Sequence, residues 1–331
     1  MKFSRPLNIN FLFVLAATLF VSLTTLAETT EKEASTTLNA VATTSAAAAK
    51  WKVGLMSYYY DIKGKKAADN LEYDFDQITT RLDLMNLSYT LSPTWTLSVL
   101  LQHYELYAQT IFPKLAGTVY AESFDRSVGA GDTYLTLTTP IAMQNSWMFL
   151  ADFGVSLPTG TINNKSYLPG FETINLAYNA QHGSGTVDFL GGVTALSYQP
   201  KYNVGSRFST ALHTGENTNG YTLGNMYRLD SWYEYNLAYG FSPKLTGFYR
   251  QKEAIHGFDK TRGELLGDSF YRHEQINWDV SAALKFQYLI PTTPFTFGAE
   301  VGVPVAQGSR NSDNAEVVTN YYSSVSLNGS F

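Results

Sequence analysis

His182 and Ser184 stand two residues apart in Gln181-His182-Gly183-Ser184-Gly185. On an extended strand that spacing puts imidazole and hydroxyl on one face, the geometry in which a histidine activates a serine nucleophile. The surrounding glycines suit a loop end better than a braced nucleophile, and no oxyanion donor can be identified, so no catalytic residue is assigned. His103 and Glu105 share a strand face by the same spacing, and His273 adjoins Glu274. Two-residue pairs fall short of the three or four ligands that a metal site needs, so His103 and Glu105 read as a local ion pair near a strand end. His213 and His256 have no comparable neighbour. Neither a metal nor a cofactor is expected.

The other candidates for chemistry are charges recurring at alternate positions of apolar segments. Trp147, Phe149, Ala151, Phe153, Val155 and Leu157 fall on one face of a strand, with Asp152 and Ser156 on the other. Ile276, Trp278, Val280, Ala282, Leu284, Phe286 and Tyr288 likewise oppose Asn277, Asp279, Ser281 and Lys285. One face suits lipid and the other water or packed polar groups, the signature of a transmembrane β-strand. Weaker alternation marks 51–60, 78–90, 95–107, 132–139, 186–198, 202–212, 231–239, 244–251, 295–303 and 320–331. With the two segments just read, twelve strands are expected.

Short links, Leu91 to Thr94, Pro140 to Ser146, Gln199 to Lys201, Phe241 to Pro243 and Leu289 to Pro294, alternate with long ones. The long links run Asp61 to Asp76, Ala108 to Gly131, Pro158 to Gly185, His213 to Asp230, Lys252 to Glu274 and Ala306 to Val318. Short periplasmic turns opposite long external loops, with an even strand count, define an antiparallel up-and-down β-barrel of an outer membrane. Composition agrees: 15% aromatic against 15% charged residues, with 23 Tyr and 20 Phe, suits two aromatic girdles.

Targeting is read from the start of the chain. Lys2 and Arg5 precede an apolar run from Phe11 to Leu23, and Thr25-Leu26-Ala27 offers small residues to a signal peptidase. A run of about 13 residues is too short to cross a bilayer as a helix, which needs about 20. Residues 1–27 are therefore expected to be a cleaved signal peptide, 28–50 a low-complexity periplasmic linker without aromatics, and 51–331 the barrel. The full chain carries a formal charge of -5, and losing a leader with two bases and no acid leaves -7. That balance argues against nucleic acid as a partner. Cysteine is absent, so closure of the sheet, rather than disulfides, must stabilise the exported chain.

Charges belong inside such a barrel, because Arg or Lys at mid-depth on the lipid side costs about 2 to 4 kcal/mol. The expected lumen-facing residues are Arg81, Asp83, Asp132, Asp152, Asp188, Arg207, Glu234, Arg250, Asp279, Lys285 and Glu300. Met85, Leu87 and Tyr89 continue the face of Arg81 and Asp83, so those two require a register change. Twelve strands tilted near 40° give a backbone radius of roughly 12 Å and a narrow lumen. In the last strand Tyr321, Val325, Leu327 and Phe331 share a face opposite Ser324, Ser326 and Asn328. A terminal aromatic on an amphipathic strand resembles the signal read by the barrel assembly machinery, which makes that machinery an expected partner beside outer-membrane lipid.

Gly129-Ala130-Gly131-Asp132-Thr133-Tyr134-Leu135-Thr136-Leu137, then Val155-Ser156-Leu157-Pro158-Thr159-Gly160, then Gly183-Ser184-Gly185-Thr186, resembles in order and spacing the outer-membrane transporter family of the meta-pathway of phenol degradation. The match covers about residues 129 to 190 and is architectural over the rest of 51–331. It implies an outer-membrane β-barrel for passive uptake of small solutes, aromatic or hydrophobic ones among them. The same residues have a structural reading. Gly129 and Gly131 let the chain turn into a strand, Asp132 pairs with a lumen base such as Arg207, and Pro158-Thr159-Gly160 ends a strand and opens a loop. Two other functions compete with transport: a barrel whose long loops bind a partner, and a lipid hydrolase using His182 and Ser184. If the leader is cut after Ala27, N-terminal sequencing of protein from the outer-membrane fraction will start at Glu28, and an uncut Met1 would overturn that assignment.

Overall fold

The structure is a computed structural model and describes residues 50–65, 74–112, 121–166, 174–175, 178, 181–260, 274–311 and 316–331. The expected signal peptide and nearly all of the linker, together with His273, lie outside the described residues.

Thirteen strands form the main sheet: β1 (Trp51–Lys65), β2 (Asp74–Ser92), β3 (Trp95–Phe112), β4 (Ala121–Ala130), β5 (Thr133–Gln144), β6 (Trp147–Leu157), β7 (Asp188–Tyr198), β8 (Tyr202–Leu212), β9 (Met226–Tyr235), β10 (Phe241–Lys252), β11 (Gln275–Leu289), β12 (Phe295–Asn311) and β13 (Glu316–Ser330). Every pairing is antiparallel, and β13 returns to β1, so the sheet is closed. The seam is continuous from Lys52 opposite Ser330 up to Lys65 opposite Glu316, with one bulge at Asp61 and Ile62. Backbone bonds between Trp51 and Phe331, 3.0 and 2.8 Å long, finish its lower end.

Twelve staves complete the ring, because β4 and β5 share one. Both pair with β3: β5 takes Thr96 to Leu100, and β4 takes His103 to Phe112. The interruption falls at Gly131-Asp132, where Gly131 N donates to Gln102 O at 2.9 Å. The expected loop from Ala108 to Gly131 is thereby corrected, since it contains β4.

Exposed apolar side chains map the outer wall. Phe153 is 59% exposed and Phe189 60%, and Phe208, Leu229, Leu245, Trp278, Val301 and Val325 are exposed at alternate positions around the ring. Their sequence neighbours on the other face include the buried Asp152, Asp188, Glu234 and Asp279. A wall that is apolar outside and polar inside inverts a soluble protein and fits a surface solvated by lipid.

Two prolines of the expected links lie inside strands instead. Pro140 stands in β5 at a register shift, where a lost ladder donor is tolerated, as it is at Pro304 in β12, and Pro243 is the third residue of β10. The short turn before β10 is instead Asn236 to Gly240. There Tyr239 and Gly240 both take positive φ, 61° and 79°, and Leu237 N donates to Phe241 O at 2.9 Å.

Candidate functional site

Residues directly opposite in an antiparallel ladder share a face, so the register fixes where each charge sits. Asp152, Asp188, Arg207, Glu234, Arg250, Asp279, Lys285 and Glu300 share the inner face with Tyr58, Tyr60, Trp232 and Tyr322. Arg81 and Asp83 do not. They stand opposite Tyr59 and Ser57 on the face of the exposed Leu55 and Met85, and β1 and β2 pair without a register shift. The rule that charges go inside fails for them, and their charges are compensated locally on the outer face. Arg81 Nε donates to Asp83 Oδ1 at 3.0 Å, Ser57 Oγ donates to the same oxygen at 2.6 Å, and His103 Nδ1 is 3.7 Å from Asp83 Oδ2. The same outer cluster holds Arg126, 2.8 Å from Glu105 Oε1, so His103 pairs with Asp83 and Glu105 with Arg126 instead of with each other.

Inside, acids and bases pair across the lumen. Lys285 Nζ lies 2.9 Å from Glu234, Lys244 Nζ lies 2.9 Å from Glu300, and Arg207 Nη2 lies 3.0 Å from Asp152. Lys244 was not among the expected lumen residues, although it opens the expected strand 244–251 on the same face as Arg250. Arg228 holds Asp230 with Nε and Nη2 at 2.6 to 2.9 Å and stacks 4.8 Å from the centre of the Phe248 ring. Beside these pairs is a cavity of about 600 Å³, lined among others by Tyr58, Tyr60, Trp232, Phe248 and Tyr322.

The motif residues converge at the break between β4 and β5. Asp132, 5% exposed, accepts from Gly160 N at 2.9 Å and from Ser184 N at 2.8 Å, and Ser184 Oγ is 3.0 Å from its Oδ2. Arg207 is not its partner, since that guanidinium is engaged with Asp152; backbone N–H groups reach Asp132 first. Gly160 and Gly183 abut here. A Cβ on Gly160 would stand 2.7 Å from His182 O, and one on Gly183 would stand 2.7 Å from Gly160 O, so only glycine lets the two segments meet over the carboxylate. Thr159 Oγ1 donates to Gly131 O at 3.0 Å, and Gly185 takes φ 74°. Thr186 N donates to Ser184 Oγ at 3.2 Å, and Thr186 Oγ1 donates to Asp188 at 2.6 Å. Pro158 follows directly on the last residue of β6.

This latch separates the two residues that the spacing had joined. Ser184 faces Asp132, whereas His182 Nε2 lies 2.8 Å from Ser127 Oγ, and its ring stacks on Tyr104 at 5.4 Å. His182 Nδ1 is buried with no hydrogen-bond partner among the described residues. Burial, with His103 adding in the same direction, holds the His182 imidazole below its ordinary pKa.

The latch is the root of a packed loop layer. Asn217 Nδ2 donates to Ser184 O at 3.0 Å, Asn219 Nδ2 donates to Ile162 O at 3.1 Å, and Asn175 Nδ2 donates to Asp259 Oδ2 at 3.0 Å. Tyr178, Tyr221 and Ile255 form its apolar centre, with Leu223 against them.

Fold and lumen together define a twelve-stave barrel of the outer-membrane type. No family model matches the chain, and no curated protein is detectably similar to it in sequence. Among solved structures it is similar to the COG4313 outer membrane channel from Pseudomonas putida F1, with a TM-score of 0.56 and 14% identity over 86% of this chain and 96% of that one. The transport unit of the autotransporter AIDA-I from Escherichia coli aligns at a TM-score of 0.46 and 11% identity, covering 86% of this chain and 91% of that chain. A Pseudomonas aeruginosa FadL homologue aligns at 0.41 and 10%, covering 85% and 90%.

Asp132→Ala leaves the N–H groups of Gly160 and Ser184 facing no acceptor, while Ser184 Oγ keeps Thr186 O at 3.0 Å. At about 1 to 3 kcal/mol for each unsatisfied group, the loop layer is expected to lose at least about 2 kcal/mol. Limited proteolysis between residues 158 and 187 measures this, and unchanged protection would contradict the latch. His182 gives a pH dependence. Its folded pKa is depressed, so the unfolded loop binds the extra proton and loop stability falls as pH drops below about 6.5. Proteolysis is expected to quicken from pH 7.5 to pH 5, and His182→Gln to flatten that dependence.

Proposed function

We propose that the protein is a channel of the bacterial outer membrane that admits small solutes by passive diffusion, aromatic or hydrophobic ones among them. The observation that carries this reading is the lumen itself. A closed wall, apolar outside, surrounds a cavity of about 600 Å³ whose lining combines ion pairs with aromatic rings. Rings give an apolar or aromatic solute a surface to slide on, and the paired charges hold water and keep the passage from collapsing. The likeness to the Pseudomonas putida channel supports the fold half of the proposal. The order of Gly131-Asp132, Pro158-Thr159-Gly160 and Gly183-Ser184-Gly185-Thr186 supports membership in the phenol meta-pathway transporter family.

On this reading residues 1–27 direct export and are removed, 28–50 trail in the periplasm, and 51–331 span the outer membrane. Tyr321, Val325, Leu327 and Phe331 present the face offered to the assembly machinery and afterwards to lipid. No step of the function is chemical, and Asp132 serves as an organiser of the passage. A second reading, a barrel that binds a partner through its loops, is favoured by the packed layer around Tyr221, which is 1% exposed.

Purified protein in planar bilayers is expected to give small, discrete conductance steps, and proteoliposomes are expected to swell in small aromatic solutes faster than in disaccharides. Absence of both conductance and swelling would overturn the channel. Retained flux after deletion of residues 214–224, with loss of a captured ligand, would favour the second reading.

A further inference from the structure

The lumen-facing carboxylates are each engaged. Asp152 pairs with Arg207, Glu300 with Lys244, Glu234 with Lys285, Asp230 with Arg228, and Asp188 with His213, whose Nδ1 is 3.0 Å away. Asp279 receives a hydrogen bond from Ser281. After these pairings, among the described residues, two cations at the loop-side end of the inner face are left over, Arg250 and Lys252. Among the described residues neither has an ion pair or hydrogen bond to a carboxylate. Glu253, next in sequence to Lys252, accepts instead from Asn225 Nδ2 at 2.8 Å and Tyr227 OH at 3.3 Å.

The register makes the excess sharper. Arg250 stands directly opposite Arg228, and Lys252 directly opposite Met226, one step further toward the loops. Like charges directly opposite in a ladder repel, since their Cβ atoms are about 4.5 to 5.5 Å apart. Both side chains are partly buried, which strengthens the repulsion. With Arg228 held by Asp230, Arg250 and Lys252 give this level of the lumen an excess of two positive charges among the described residues. Immediately below, Arg228 lies over Phe248, and Tyr58, Tyr60 and Trp232 line the cavity.

The geometry points to an anion-binding station at the loop-side end of the lumen, formed by Arg250 and Lys252 with Arg228, that takes a small aromatic carboxylate. The carboxylate sits against Arg250 and Lys252, the planar guanidinium of Arg250 offering paired N–H donors, with Arg228, held by Asp230, adding its charge from directly opposite. The aromatic body lies against the rings below, with its plane available to Arg228 and Phe248. The station deepens the channel reading, on which its role as an entry point rests: the paired charges further down set no sign preference, so selection falls to this layer.

Equilibrium binding to the folded, detergent-solubilised barrel tests the station without requiring flux. Benzoate is expected to bind, benzamide, its neutral counterpart, at least about tenfold more weakly, and acetate more weakly than benzoate. Arg250→Gln with Lys252→Gln removes repulsion and is expected to fold, to lose benzoate binding by at least about tenfold, and to leave benzamide unchanged. Arg250→Lys with Lys252→Arg is expected to retain benzoate. Equal binding of benzoate and benzamide, or benzoate binding that survives the double glutamine variant, overturns the station, and acetate binding as strong as benzoate overturns its aromatic half. Proteoliposome flux run in parallel separates the two proposals: benzoate bound by the station but passed by neither protein sinks the channel and leaves the station standing.

Discussion

A backbone amide facing hydrocarbon has no water to bond, and leaving one unpaired costs several kcal/mol. That constraint governs the whole molecule. It requires the ring to close, which happens because β13 meets β1 and β2 meets β3. It also explains why the single place where a stave changes identity, between Ala130 and Thr133, is so heavily engineered. Gly131 recovers a bond to Gln102 O, Gln102 Nε2 donates to Asp132 O at 2.7 Å, and the Asp132 carboxylate collects amides from two loop segments. The break is a junction where wall and loops are tied by one side chain.

From that junction the order propagates outward. Holding Gly160 and Ser184 together fixes both ends of the segment between β6 and β7. Asn217 then joins the next loop through Ser184 O, and Asn219 and Asp259 join the third. Asparagine dominates these links because its amide both donates and accepts, so a single residue can satisfy two backbone groups in a region without ladders. Below the loops the lumen is organised by a different rule. Each lysine and glutamate pair bridges two strands with one strand between them, Lys285 with Glu234 across β10 and Lys244 with Glu300 across β11.

Much of this was legible in the residues. The bounds of β6 and β8 follow directly from alternation, with Trp147, Phe149, Phe153, Val155 and Leu157 on one face of β6 and Tyr202, Val204, Phe208 and Leu212 on one face of β8. The strand β4 was not legible. Its sequence, Ala-Glu-Ser-Phe-Asp-Arg-Ser-Val-Gly-Ala, puts Glu122 and Arg126 at alternate positions with Phe124 and Val128, so no apolar face stands out in this strand on the loop-side part of β3. Arg81 and Asp83 misled for a related reason. Charge said inside, whereas the unbroken run of Met85, Leu87 and Tyr89 said outside, and pairing with β1 obeys the run. The partner of Asp132 was hidden because backbone amides carry no mark in a sequence; the glycines at 160 and 183 were the trace they left.

The seam between the first and last staves has a consequence for how the molecule comes into being. Trp51 bonds to Phe331, so β1, already paired with β2, cannot find its second neighbour until β13 has been made and exported. Contacts of such separation are slow to form, and until then β1 is an exposed edge. Closure of the ring is thus tied to one late pairing, and a lesion in β13 injures the first strand as much as the last.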